Sequence, residues 1–242
     1  MSNRALSSET ISLFLGEVID SKGQQMPVAA DVEKIVRYVE AETGLKFQIR
    51  VLPWRRAQLL VKNGEGIIYG FSKSPERVEF YDFSLPVLVQ KVWAIAADYG
   101  DGKIMTVNTL TGKTISIERG VSHGFEFEKA RNLVFKVDED TASVELRFKK
   151  LFAGRSDALF WQARQFKRAK ELEDYLIHEV FINFVDRELA QKKITISPEP
   201  LYFDAVHFAC AKGKYRKEIA KINTAITQGK INGKLTSIIE AK

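Results

Sequence analysis

The segment Tyr69 to Pro86, YGFSKSPERVEFYDFSLP, concentrates groups of the kind that hold an anion. Gly70, Ser72 and Ser74 stand at the end of the apolar run GIIYGF, which reads as a strand buried on both faces. Hydroxyls and backbone NH groups there would point out of the strand's carboxyl edge, where open α/β sheets bind ligands. Arg77 follows on a short turn. Its planar fork matches the two oxygens of a carboxylate, and the serine hydroxyls complete the hydrogen bonds. The same SPER tetrapeptide also reads as an N-capped turn with Ser74 as the cap, which is compatible with ligand binding and bears on Ser74 more than on Arg77.

Such a site needs elements to hold it, and strand and helix signals alternate along most of the chain, as in an α/β protein. Ile11 to Val18 reads as a strand. VAADVEKIVRYVEAETGL then spaces Val32, Ile35, Val36 and Val39 as one helix face, with Gly44 as its stop. Lys46 to Leu52 alternates as a strand, and a short helix starts after Pro53 and ends near Asn63. After the long apolar segment Val87 to Ala97 and a polar break, DYGDGK, the rhythm restarts: TISIERG as strand and loop, HGFEFEKAR as helix, LVFKVD as strand, TASVELRFKKLFAGR as helix and DALFW as strand. The charge-rich QARQFKRAKELEDYL reads as helical, Tyr202 to Ala211 as a second long strand, and 215–228 and 232–241 as closing helices. Two series, each followed by a long apolar strand, predict two lobes joined by two crossovers: residues 1–97 with 204–242 against 98–203. A cleft between two such lobes is a common place for a small ligand.

The order of PWRRAQLLVKNGEG, GFSKSPERVEFYDFSLPV, TLTGKTISIERGVSHGFEF, LFAGRSDALF and KINTAITQGKINGKLTSIIEA resembles the family 3 extracellular solute-binding proteins of ABC importers. The resemblance runs from about Ile11 to Lys242. It implies a two-lobed periplasmic-binding-protein type II fold that closes around a small carboxylate-bearing solute, an amino acid or a relative of one, for delivery to ABC permease subunits. It also implies that Arg77 clamps the ligand's carboxylate with help from Gly70 and Ser72. The loop holding Gly120 and Ser122 would then supply NH and hydroxyl donors from the other lobe, in keeping with the helix that follows, whose amino end favours an anion. Trp54 matches an aromatic-rich region near the cleft. No catalytic residue, metal or cofactor is implied, and the expected protein is a monomer in the periplasm that binds no nucleic acid and does not itself insert in the membrane.

Two departures bear on the ligand. Amino-acid binders of this family place an Asp four residues beyond the Asp of the GRxDA block, and GRSDALFW has Trp161 there. A tryptophan offers ring area and one NH donor but no negative charge, so an amine would be held by cation-π contact or be absent from the ligand. Near the start, GEVIDSKGQQMPVAAD carries few aromatics, and Glu17 either reaches into the cleft in place of a missing acid or lies on the surface. Phe14, Trp54, Trp161 and Tyr202 are open to both cleft and core readings.

Composition supports an ordinary globular chain of 242 residues, 45% hydrophobic and 28% charged, with no apolar run near the ~20 residues that span a bilayer. The net charge of +6 is not a nucleic-acid footprint, because residues 200–242 carry 8 basic and 3 acidic side chains on what reads as helical faces. The single Cys210 sits in an apolar run and excludes an internal disulfide, and His123, His178 and His207 are scattered. MSNRALSSE lacks a secretory pattern, so the chain is either cytosolic or a mature form without its signal; the resemblance points to the second. Two alternatives use the same fold. One is an enzyme resembling cyclohexadienyl dehydratases, with Glu17, Glu118 and His123 as candidate acid-base groups; the other is a sensory module.

Overall fold

A computed structural model of the protein describes residues 10–20, 22–98 and 105–240. Strand β1 (Ile11–Gly16) alternates, so Leu13 and Leu15 face one side and Phe14 the other. Helix α1 (Ala30–Thr43) buries Ile35, Val36 and Val39 on the first side and stops where Gly44 turns left-handed, its NH bonded to Glu40. β2 (Phe47–Leu52) lies parallel to β1, and α2 (Trp54–Lys62) begins directly after Pro53 and covers the opposite side with Ala57 and Val61. β3 (Ile67–Ser72) returns beside β1, followed by the one-turn α3 (Arg77–Phe80), β4 (Tyr81–Phe83) and the long β5 (Leu88–Ala97).

The second series runs β6 (Thr114–Glu118), α4 (Phe125–Ala130), β7 (Lys136–Asp140), α5 (Val144–Phe152) and β8 (Ala158–Gln162). Then come α6 (Ala169–Tyr175), β9 (Ile194–Ile196), the long β10 (Tyr202–Ala211), and helices α7 (Arg216–Ile231) and α8 (Lys234–Glu240). No described helix is long and apolar enough to cross a membrane.

The ten strands of the described residues form one sheet, ordered β2-β1-β3-β10-β5-β8-β6-β7, with β4 on β10 and β9 on β5. β2-β1-β3 and β8-β6-β7 are parallel sets, and β5 and β10 run antiparallel between them, in register from Tyr202 opposite Val92 to Val206 opposite Leu88. Apolar cores lie on both faces of each set. α1, α7 and α8 close one core on the first set and α2 the other; on the second set, Phe127, Phe135 and Phe160 build one and Phe148, Leu159 and Phe181 the other.

The differences from the sequence expectation have local causes. The first strand ends at Gly16, short of Val18. The helical stretch expected over 162–176 begins only at Ala169, because residues before it are tied elsewhere: Ala163 NH bonds Lys91 O, and Lys91 Nζ bonds Phe166 O. β4 and β9, three residues each, are too short for a periodic signal. The break DYGDGK lies outside the described residues except for Asp98. Cys210 is core, as its sequence context predicts, and burial pushes its thiol up to about 12.

Candidate functional site

The site begins with an irregularity in β3. Phe71 stands opposite His207 and Tyr69 opposite Phe208, so Gly70 is an extra residue in the strand, at φ 86°. The bulge resets the alternation: Tyr69 remains with the core closed by α1, Phe71 joins Ile68 on the α2 side, and Tyr69, Gly70 and Ser72 all line one cavity. Only a residue without Cβ takes that backbone conformation freely.

The cavity encloses about 760 Å³ and draws its walls from both halves of the sheet. The first half contributes the end of β1 through Glu17 and Val18, the loop Met26 to Ala29 entering α1, Trp54, and the bulged end of β3; the second contributes Glu118, Val121, Ser122 and Gln162. Trp54 is central. A Cβ on Gly16 would lie 2.5 Å from its ring, one on Gly120 3.5 Å and one on Gly70 3.6 Å, so glycines from both halves leave room for the indole. Its edge meets Phe71 at 6.0 Å between ring centroids.

Of the expected site residues, Glu17, Trp54, Gly70, Ser72 and Ser122 line this cavity together. Arg77 and Gly120 adjoin it with other partners. The Arg77 guanidinium lies over the Phe71 ring at 4.0 Å and donates to Ser72 O (3.0 Å) and Gly120 O (2.8 Å). Burial lowers its pKa to about 10, still well above neutrality. Two of the five N–H donors of the fork expected to clamp a carboxylate are thereby used on carbonyls. On the loop 120–122, Gly120 O also accepts from Gln58 Nε2 (2.8 Å), Ser122 O lies 3.2 Å from Ser72 Oγ, Val121 NH is used by Glu118 O, and the Ser122 hydroxyl accepts from Gly124 NH (3.3 Å). α4 is a six-residue helix with Glu126 and Glu128 in its first turn, which opposes an anion there.

Trp161 is not brought to the cavity. Alternation along β8 sends Leu159 and Trp161 into the core around Phe148, whose ring lies 6.2 Å from the Trp161 ring, and the neighbouring Gln162 to the cavity. Phe14 and Tyr202 are core residues as well.

A buried carboxylate that the sequence reading passed over organises the floor. Asp204, 1% exposed on β10, accepts from Ser72 Oγ (2.6 Å) and Gln162 Nε2 (2.7 Å) through Oδ2, while Oδ1 has no partner. Burial lifts its carboxyl to about 7 against those hydrogen bonds and the nearby Arg77. A lone acid inside YFDAVHFACA is a legible signal, since a charge in a buried strand must find partners. Glu118 is also raised to about 7, by burial and, more weakly, by Glu17, with Arg147 acting in the opposite sense. Neither Glu17 nor Glu118 has a side-chain hydrogen bond or salt bridge among the described residues. His123 is turned away, edge-on to Phe127 and Phe160, both ring nitrogens unpartnered, and burial lowers it to about 3, so it is neutral.

Further ties join the halves: Arg55 to Glu139, and Arg164 Nη2 to Asp31 (2.6 Å) and Ile239 O (3.2 Å). A smaller cavity of about 320 Å³ shares Glu17, Trp54 and Glu118 and opens toward Asp140 and Thr141.

Solved structures share this architecture. The GluR0 ligand-binding core from Nostoc punctiforme in complex with L-glutamate superposes with a TM-score of 0.65 at 18% identity, over 94% of this chain and 96% of that one. The amino acid ABC transporter substrate-binding protein AbpA from Streptococcus pneumoniae, bound to L-arginine, gives 0.66 at 16% identity over 96% and 93%. An ancestral arginine-binding protein bound to arginine gives 0.67 at 19% identity over 96% of each chain. At these identities the likeness is one of fold, and no curated protein sequence is significantly similar to this chain. Residues 18–241 match the sequence profile of the bacterial extracellular solute-binding proteins, family 3, and the chain belongs to that family.

Proposed function

We propose that the protein captures a small solute between two lobes in the periplasm and delivers it to the permease subunits of an ABC importer. The observation that carries this reading is the cavity of about 760 Å³ walled from both halves, with hydrogen bonds from Arg77 and Gln58 reaching the Gly120 carbonyl on the opposite side. Closure would be a hinge motion in β5 and β10, stabilised by contacts that exist only when the halves meet. Residues 1–97 with 204–242 form one lobe in this reading and 98–203 the other. Supporting that division, two cores draw only on residues within 1–97 and 204–242; Val92 to Ile95, however, pack with the cores of the second set, which moves the border toward residue 90.

The narrower expectation, a carboxylate-bearing solute, rests on Arg77, and the two carbonyls on that guanidinium weaken it. Amino acids belong in the first panel because structures of this fold hold glutamate and arginine. Thermal unfolding against amino acids, carboxylates and amines tests the reading, since a solute that binds the folded state alone raises the melting temperature. A panel without a single stabilising compound would count against it.

The enzymatic alternative has one observation in its favour: Glu118, a cavity carboxyl held near 7, suits a general acid or base. Turnover of prephenate or arogenate, abolished by Glu118→Gln, would establish it.

A further inference from the structure

We infer that the solute is an organic cation with an apolar body and no carboxylate: a protonated amine or guanidine. The inference rests on the solute-binding reading and names the ligand class of the same cavity.

Three observations disfavour a carboxylate. Among the described residues no lysine or arginine lines the cavity, while Glu17 and Glu118 enter it from opposite halves without hydrogen-bonded partners. The guanidinium nearest the floor, Arg77, does not line the cavity; it lies on the Phe71 face and gives two of its N–H donors to carbonyls. Of the polar side chains on the wall, Ser72 Oγ and Gln162 Nε2 donate to Asp204, so a protein carboxylate already takes two of the donors a ligand carboxylate would use. An incoming anion would face Glu17 and Glu118 and no lysine or arginine among the described lining residues. The one feature of opposite sign, the amino end of α1 at Ala29 and Ala30, carries Asp31 and Glu33 in its first turn.

The same groups suit a cation. Glu17 and Glu118 reach the cavity from the two halves, so a positive charge between them gains a partner on each side only when the halves are together. Trp54 lines the same cavity and offers an indole face. The remaining wall is mostly apolar, with Leu15, Val28, Val32 and Val51 in it, and it would desolvate an alkyl or aryl body.

Matched pairs that differ by a carboxylate decide the matter: agmatine against L-arginine, cadaverine against L-lysine, and phenethylamine against L-phenylalanine, followed by calorimetry and tryptophan fluorescence. At least one amine should bind ten-fold or more tightly than its amino acid, and Glu17→Gln and Glu118→Gln should each weaken it about ten-fold. Amino acids binding as well as or better than the amines would overturn the cation inference and leave the solute-binding reading intact. If neither series binds and a wider panel of neutral and anionic solutes also fails, the solute-binding reading falls and the inference falls with it. Affinity unchanged in both glutamine variants would overturn the assignment of the cation to these two carboxylates.

Discussion

Single side chains set the electrostatics of the cavity, and the clearest consequence is in the pH dependence of stability. Glu118 and Asp204 have folded-state pKa values raised to about 7, so between roughly 4 and 7 the folded chain holds more protons than the unfolded one and stability falls as pH rises. His123 and His207, lowered to about 3 and about 4, act oppositely: the unfolded chain binds the extra protons up to about 6.5, and stability rises with pH through that window. Glu118 is faced by Glu17 from the end of β1 and by Arg147 from α5. Glu118→Gln should therefore gain stability relative to the parent between pH 5 and pH 8, by about 1–2 kcal/mol, and parallel melting curves across that range would contradict the assignment. Arg77→Gln should cost roughly 2–4 kcal/mol, because Ser72 O and Gly120 O both lose a donor; urea unfolding at pH 7 reads this directly. At this scale the sequence was legible where residue type alone decided the matter. Gly70, Ser72, Trp54, Ser122 and Glu17 line one cavity, which for Glu17 takes the cleft reading of the two left open, whereas Gln162 and not Trp161 faces it because strand phase, invisible in a count of residues from a motif, decides between them.

Elements place those residues, and glycines show how closely. Gly16→Ala would put a Cβ 2.5 Å from the Trp54 ring, forcing the indole to move, at about 1–3 kcal/mol. Gly70→Ala would meet nothing closer than 3.6 Å but would hold an alanine at φ 86°, at about 1–2 kcal/mol. The two costs are similar and their signatures differ: Gly16→Ala should shift tryptophan emission in the folded state, and Gly70→Ala should lower stability with the emission kept. Equal emission in both would mean that Trp54 is not held by Gly16. Most elements were legible because their ends carry strong signals, such as Gly44 closing α1 and Pro53 opening α2. The bulge was not, since a one-residue insertion appears only when β3 and β10 are laid side by side. The six residues before α6 were misread as helix because their charge pattern fits one, while Arg164 among them is drawn across the cleft to Asp31.

At the scale of the whole molecule the question is which ties hold the halves together, and the structure separates strong candidates from weak ones. The Arg55 pair spans the halves, but the Arg55 side chain is 63% exposed, and its partner Glu139 keeps Arg131 at 2.5 Å if Arg55 is lost. Exposed pairs of this kind contribute about 0–1 kcal/mol, so Arg55→Ala should leave stability and shape nearly unchanged. Arg164 is different. Only 18% exposed, it reaches from the segment after β8 to Asp31 in the first turn of α1 and to the last residues of α8, and Asp31 has no second cation among its hydrogen-bonded partners. Arg164→Ala removes that tie at the α1 side of the cavity, next to the point where Ala163 bonds Lys91 of β5, so in the two-lobe reading the open population should rise. Apparent solute affinity then falls by the fraction of closed molecules lost, about 3- to 10-fold for a tie of this strength. Small-angle scattering should show a larger radius of gyration for Arg164→Ala than for the parent, with Arg55→Ala matching the parent. A parent-like radius in Arg164→Ala would instead place the energy of closure in the two hydrogen bonds on Gly120 O, and an Arg77→Gln variant with an enlarged radius would locate it there.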